Sequence, residues 1–347
     1  MSKEKIKKVL NHFPTLYALV KVINNKRNNE FISFVNGYSE NPEIIIAHPK
    51  KRETYIGKPV CKVIAGTKED GFFACVRWAL DGLYFCDSFG YLPIVKFPNE
   101  SIYKDISIFA DEVNPFEYFF EKTSKEIIYD LDEYPRVEYC NRNIFWAESL
   151  NGGISYKVSQ DYIDKMSIIM SKYLLFKKDI MDYVNKTNSK LCLNERMLAV
   201  HVRGTDYRKN YRNHPIFLEA KDYYNAIDLA LDSGKFDKIF LATDDEDILS
   251  EFLYNYKDMV VFLENSERKA GAEGVHTSKC VKKTPYYLAL DVICDMIALS
   301  SCGGIISGMS QVSLVARIYK KSINKTYLYD EVLNKGINKR GAQFETK

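Results

Sequence analysis

This 347-residue chain carries no strong charge of either sign: 49 Lys and Arg stand against 46 Asp and Glu, a formal net charge of +3. That balance argues against nucleic acid as a partner and leaves only a local basic cleft to look for. No window approaches roughly 18 uninterrupted apolar residues, so no segment is expected to span a membrane. The basic start, Met-Ser-Lys-Glu-Lys-Ile-Lys-Lys, has no apolar stretch behind it, which argues against a signal peptide. The eight cysteines (Cys61, Cys75, Cys86, Cys140, Cys192, Cys280, Cys294 and Cys302) include no CxxC pair and no Cys/His cluster with zinc spacing. Cys75, Cys86 and Cys294 fall inside apolar helical patterns, as buried free thiols in a reducing compartment do. A cytoplasmic protein is therefore expected. Walker A, G-x-G-x-x-G and kinase signatures are all missing, and no period of about 20–50 residues recurs.

What is present is ordinary for a globular protein, 46% hydrophobic and 27% charged. The length exceeds one usual core, so two domains are expected, 1–190 and 191–347. The boundary follows the polar run Asn185–Lys190, after which an apolar strand begins at Met197. In the first half, Phe31–Val35, Glu43–Ala47 and Val60–Ala65 read as short strands. Gly71 opens an apolar helical stripe that Gly90 stops, and Tyr91–Phe97 reads as a strand. The Asp70-Gly71 turn is either a helix start or the edge of a cleft formed by Gly71 and Phe72. Asn114–Glu121 suggests a short helix with Pro115 at its first position. Asp161–Thr187 reads as one long amphipathic helix.

The second half alternates: strand 197–203, helix 219–233, strand 238–242, helix 246–256, strand 259–263, helix 286–299, strand 304–307, helix 311–319. This order predicts a parallel sheet with helices on both faces. Its distinctive polar residues fall just after the strands, where a parallel sheet gathers its ligands. In Leu-Ala-Val-His-Val-Arg-Gly-Thr-Asp (198–206), His201 and Arg203 share one strand face, and the Arg203 guanidinium beside Gly204 suits a phosphate. Asp206 either caps the next turn or pairs with Arg203. Thr243 and Asp244 either cap a helix or meet a ribose or base. Glu273 and His276 sit in the loop Gly-Ala-Glu-Gly-Val-His, where the imidazole is catalytic, a ligand contact or merely exposed. Asp291 interrupts an apolar helix face and could accept two hydrogen bonds from a guanine edge. Ser307-Gly-Met-Ser310, followed by Gln311, opens a helix N-terminus suited to an anion.

The ordered series His201–Asp206, His214-Pro215, Ile239–Asp245, Asp291 and Ser307–Val312 resembles the fucosyltransferase superfamily of α-1,6, α-1,2 and protein O-fucosyltransferases, the α-1,6 group most. The resemblance covers about residues 197–330, and more loosely Gly71–Phe97. It implies a GT-B-like architecture of two Rossmann-like α/β domains facing a cleft, an acceptor-side domain before a nucleotide-sugar domain. It implies inverting transfer from GDP-fucose with no cofactor and no required metal. Arg203 would then hold the β-phosphate with His201 beside the diphosphate. Thr243 and Asp244 would line the nucleotide site, Asp291 would recognise guanine, and Ser310 with Gln311 would touch phosphate.

Two positions depart from that pattern. Gly204 stands where the core α-1,6 enzyme has a second arginine, and Tyr207–Asn213 holds no acid where a catalytic glutamate is expected. Asp206 and Glu273 are thus the candidate bases, alongside a base from the first domain. The acceptor expected is a glycan hydroxyl, of a bacterial surface polysaccharide or lipid-linked oligosaccharide, with peripheral membrane association open. The rivals are the same fold using another GDP-sugar such as a GDP-heptose, a protein O-fucosyltransferase, a degenerate nucleotide-sugar-binding module, and an interaction protein without a nucleotide site.

Overall fold

Apolar runs that read as buried strands assemble into a five-stranded parallel sheet in the second half of the chain. Its strands are β5 (Met197–Val202), β6 (Lys238–Thr243), β7 (Val260–Val261), β8 (Gly304–Ser307) and β9 (Tyr329–Val332), in the order β7-β6-β5-β8-β9. In this computed structural model the described residues are 20, 23, 60–124, 160–211, 214–272, 274–275 and 282–340, together with the strands β1 (Glu43–Ala47) and β4 (Arg136–Cys140). The expected strand Phe31–Val35 lies outside them.

The sheet is doubly wound, and alternation along β5 shows how. Leu198, Val200 and Val202 pack with helices α5 (Lys221–Asp232) and α6 (Glu246–Tyr256) on one face. Ala199 joins the opposite core with α7 (Pro285–Ser301) and α8 (Gln311–Ser322). His201, in phase with Ala199, belongs to the α7/α8 side, and Arg203 follows just past the strand's end. The chain winds from β5 through β6 to β7, then crosses over to β8 and β9. The order therefore reverses between β5 and β8, whose register sets His201 beside Ser307. Ligands of open α/β sheets bind at that reversal, outside the strands' C-terminal ends.

The first half carries a smaller mixed sheet, β1-β4-β2-β3, where β2 is Val60–Ile64 and β3 is Leu92–Lys96. Strand β2 runs parallel to β3 and β4, while β1 is antiparallel to β4. Helix α1 (Phe72–Phe89) connects β2 to β3 and ends at Gly90, whose φ of 69° is the left-handed C-terminal stop that glycine permits. The short helix α2 (Phe116–Phe119) follows, with Asn114 Oδ1 accepting the Phe116 N–H at 3.2 Å.

The stretch expected as one helix over 161–187 is two, α3 (Gln160–Tyr173) and α4 (Lys178–Asn188). The break is made by tertiary pairing. Glu121 N–H donates to the Leu175 carbonyl at 2.8 Å and Lys177 N–H to the Phe119 carbonyl at 2.9 Å, while the Phe120 and Phe176 rings stack at 4.7 Å. Helix α3 packs against both α1 and α8, and α4 against α7. One apolar core accordingly runs from β2 and α1 into the α7/α8 face of the second sheet. The cysteines at 61, 75, 86, 294 and 302 are buried free thiols, whereas Cys192 is exposed. Among the described residues, no helix is long and apolar enough to cross a membrane.

Candidate nucleotide site at the strand ends

Arg203 leaves the end of β5 and is held by Asp244, which leaves the end of β6. The Arg203 Nη1 to Asp244 Oδ2 distance is 2.7 Å. The same carboxylate accepts the Gly204 N–H at 2.9 Å and the Thr205 hydroxyl at 2.7 Å. Burial would raise the Asp244 carboxyl, but Arg203, Thr205 and the Gly204 N–H together hold it below its ordinary value. Asp244 thus stays anionic and fixes the turn that aims Arg203.

Asp245 does a parallel job one residue on. Its Oδ1 caps α6 by accepting the Asp247 and Ile248 N–H groups at 2.9 and 3.2 Å. Its Oδ2 accepts from Arg208 Nε at 2.7 Å and from the Thr205 N–H at 3.3 Å. Arg208 is therefore spent on Asp245. Gly204 is required by packing, because a Cβ there would lie 2.2 Å from the Asp245 Cβ. A second arginine at that position has no room.

His201 is buried, and burial lowers its imidazole to about 4, so the ring is neutral at ordinary pH. Thr243 is also buried, its hydroxyl accepting the Asp245 N–H at 3.2 Å. Ser307 lies in the interior, where its hydroxyl accepts from Arg317 Nη1 at 3.0 Å. Ser310 caps α8 by accepting the Val312 N–H at 3.1 Å. Tyr207, just past the turn, donates to the Met309 carbonyl at 3.3 Å and so ties the β5 loop to the β8 loop.

Helix α7 brings two carboxylates to the same edge. Asp291 is occupied: Lys283 Nζ lies 2.7 Å from both its oxygens, and the Glu267 N–H donates to Oδ2 at 3.2 Å. Burial raises its carboxyl, with Lys283 opposing. Asp295, one turn on, has a buried Oδ1 with no hydrogen-bond partner. Burial lifts its carboxyl to about 7, opposed by Arg268 and reinforced by Asp291 and Asp244. Buried side-chain polar atoms without partners are uncommon and call for an explanation. Four of the twelve such atoms among the described residues belong to His201 (Nδ1), Asp295 (Oδ1), Arg268 (Nε) and Gln311 (Oε1), and of these His201, Asp295 and Arg268 are linked electrostatically, His201 and Asp295 each with Asp244 and Arg268 with Asp295. Sequence reasoning singled out Asp291 and passed over Asp295. The available signal was an acid pair four residues apart in an otherwise apolar helix.

Other expected site residues fall elsewhere. Asp206 lends its backbone to the 3-10 turn Thr205–Lys209, but its side chain lies outside the described residues, as do Glu273 and His276. Phe72, expected at a cleft edge, is instead a core residue at 1% exposure, ringed edge-on by Phe73, Phe97, Tyr103 and Phe119. Gly71 beside it has open space where a Cβ would stand. Among the described residues no group of three or more His, Cys, Asp or Glu is placed to hold a metal ion.

No family model and no curated protein matches the chain. In fold it is similar to solved fucosyltransferases. NodZ α-1,6-fucosyltransferase co-crystallised with GDP aligns at 14% identity and a TM-score of 0.43, over 76% of this chain and 92% of that one. The fucosyltransferase NodZ from Bradyrhizobium gives 13% and 0.43 over 76% and 93%, and POFUT1 in complex with GDP gives 13% and 0.39 over 79% and 97%.

Proposed function

We propose that this chain is a glycosyltransferase that takes a sugar, fucose in the first instance, from a GDP-linked donor and passes it to a glycan hydroxyl. The observation that carries this reading is the turn at the end of β5, where Asp244 holds both Arg203 and the Gly204 N–H at the point where the sheet order reverses. A diphosphate suits Arg203 and the N-terminus of α8, which offer a guanidinium fork and oriented N–H groups. A purine edge with adjacent N–H donors suits a carboxylate with a free oxygen. Asp295 meets that description better than Asp291, whose oxygens Lys283 and Glu267 already engage.

The chemistry follows from charge. The acceptor oxygen bonds to the anomeric carbon as the bond to the diphosphate oxygen breaks, inverting that centre. The electron pair of the broken bond stays on GDP, so Arg203 and α8 stabilise charge that grows toward the transition state. The acceptor proton passes to a base. Asp206 and Glu273 are the proposed carriers of that role, and the first half of the chain is proposed to seat the acceptor. His201, neutral and buried, packs beside the diphosphate.

A thermal-shift panel of GDP, UDP and CMP sugars tests the donor, followed by transfer assays with the donor that stabilises most. Stabilisation by guanosine nucleotides above the others, and release of GDP from GDP-fucose, is expected. Equal response to every nucleotide would overturn the reading, and a larger response to GDP-heptose would reassign the sugar.

A further inference from the structure

Arg203 shares a crevice with a second cation, which comes from the segment after β9. The crevice opens outside the ends of β5, β8 and β9, where Arg203, Tyr207, Tyr223 and Met309 line it together with Asn334 and Lys335. Backbone hydrogen bonds fix the Lys335 segment to both neighbouring loops. The Leu333 N–H donates to the Ser307 carbonyl at 2.8 Å, the Ile216 N–H to the Gly336 carbonyl at 3.0 Å, and the Asn338 N–H to the His214 carbonyl at 2.9 Å. Asn334 Oδ1 accepts the Gly336 N–H at 2.7 Å, closing a turn in which Gly336 takes a φ of 96°.

The two cations are held in the same way. Asp244 grips Arg203 at 2.7 Å, and Asp222 grips the Lys335 ammonium at 2.6 Å. Asp222 is itself fixed by the Glu219 N–H, which donates to the same oxygen at 2.8 Å. Neither carboxylate lines the crevice, and among the described residues that do there is no Asp or Glu. The Lys335 side chain is 43% exposed, and an ammonium has three donors, of which Asp222 takes one. Tyr223, at 1% exposure, adds a hydroxyl. Its oxygen accepts the Gly308 N–H at 3.0 Å, and burial raises the phenol, so it keeps a proton to donate. A guanidinium, an ammonium and a phenol with no facing acid suit an anion of more than one charge. Within the β5 loop Arg203 has little help: Gly204 has no room for a side chain, and Arg208 is spent on Asp245.

We propose that Lys335 is a further donor-binding residue, its ammonium completing with Arg203 a two-cation seat for the diphosphate. This rests on the reading that places the diphosphate at Arg203. It makes the segment after β9 part of the site, and it gives the leaving diphosphate a second cation as its charge grows.

Calorimetric titration of the full chain with GDP and with inorganic pyrophosphate tests this, for the parent, Lys335→Gln, Lys335→Arg and Asp222→Asn. Lys335→Gln should weaken both ligands by the same factor, about fivefold, the upper range for a partly exposed ion pair. Lys335→Arg, which keeps the charge, should recover most of that loss. Asp222→Asn breaks the Lys335 ion pair but leaves the ammonium, so pyrophosphate should bind at least as tightly as to the parent. If Lys335 only braced α5, Asp222→Asn would weaken binding as much as Lys335→Gln, and that result overturns the proposal. Pyrophosphate affinity unchanged in Lys335→Gln overturns it too. Should Lys335→Gln not fold, Lys335→Met, which keeps the apolar stem, carries the same expectation. A parent that binds neither ligand, or whose affinity survives Arg203→Ala, would overturn the diphosphate reading and the second cation together. Affinity lost in Arg203→Ala but kept in Lys335→Gln would overturn the second cation alone.

Discussion

A Cβ on Gly204 would stand 2.2 Å from the Cβ of Asp245 and 2.5 Å from its Oδ2. The glycine lets the β5 and β6 strand ends close on one another, so that Asp244 can take the Gly204 N–H and Arg203 together. Gly204→Ala must push Asp245 off the α6 cap or spread the two strand ends. The expected cost is about 1–3 kcal/mol, the usual range for overpacking. Chemical denaturation checks it, and a stability equal to the parent's would show that the two turns part freely.

Asp295 gives the site a pH dependence with a definite sign. Its carboxyl is raised to about 7 in the folded chain, whereas an unfolded aspartate titrates near 3.9. Between those values the folded state binds the extra proton, so this group's contribution to stability falls as pH rises from about 4 to about 7, then levels. A base N–H donor needs the ionised form, so GDP affinity should strengthen as pH rises from 6 to 8, with proton release on binding. Titrations in buffers of different ionisation enthalpy measure that release. Asp295→Asn should remove most of the preference for guanine and the part of the pH dependence that GDP does not share with UDP, whose terminal phosphate ionises over the same range. Persistence of either would assign the base to another group.

The buried pair in α1 predicts a large effect on stability. Arg77 and Asp81 lie 3.6 Å apart at 1% and 0% side-chain exposure, and the Tyr162 hydroxyl of α3 donates to Asp81 at 2.7 Å. The guanidinium also lies 3.9 Å over the Trp78 ring. Asp81→Ala removes a buried counter-charge from Arg77 and the acceptor of the Tyr162 hydroxyl, and should cost about 3–5 kcal/mol. Replacing both, Arg77→Met with Asp81→Leu, should recover much of the loss. A denaturation series over the single and double variants decides, and a double variant no better than the single would contradict the desolvation argument.

Much of the second sheet was legible because β5, β6 and β8 are buried apolar runs set between helical periods. Strand β9, Tyr-Asp-Glu-Val, gave no such signal, because it is an edge strand with residues alternately half-buried and exposed. The break between α3 and α4 was hidden for another reason. The apolar pattern continues through Leu174 and Phe176, and only pairing with the distant Phe119–Glu121 segment ends the helix. In the site, Arg203 stood out as an arginine between an apolar strand and a glycine. Asp295 did not, because its lack of a partner is a property of the folded neighbourhood. Arg208, spent on Asp245, likewise looked from its spacing like any loop cation.

Arg203 carries the central claim, and calorimetric titration of GDP against the parent chain and Arg203→Ala tests it most directly. A parallel melt should confirm that the variant folds, with Arg203→Gln as a second substitution that keeps a donor for Asp244. Hydrogen bonds to charged groups contribute about 1.5–3 kcal/mol, so both variants should bind GDP roughly 10- to 100-fold more weakly than the parent. A folded variant that binds GDP as tightly as the parent would contradict the placement of the diphosphate at the end of β5.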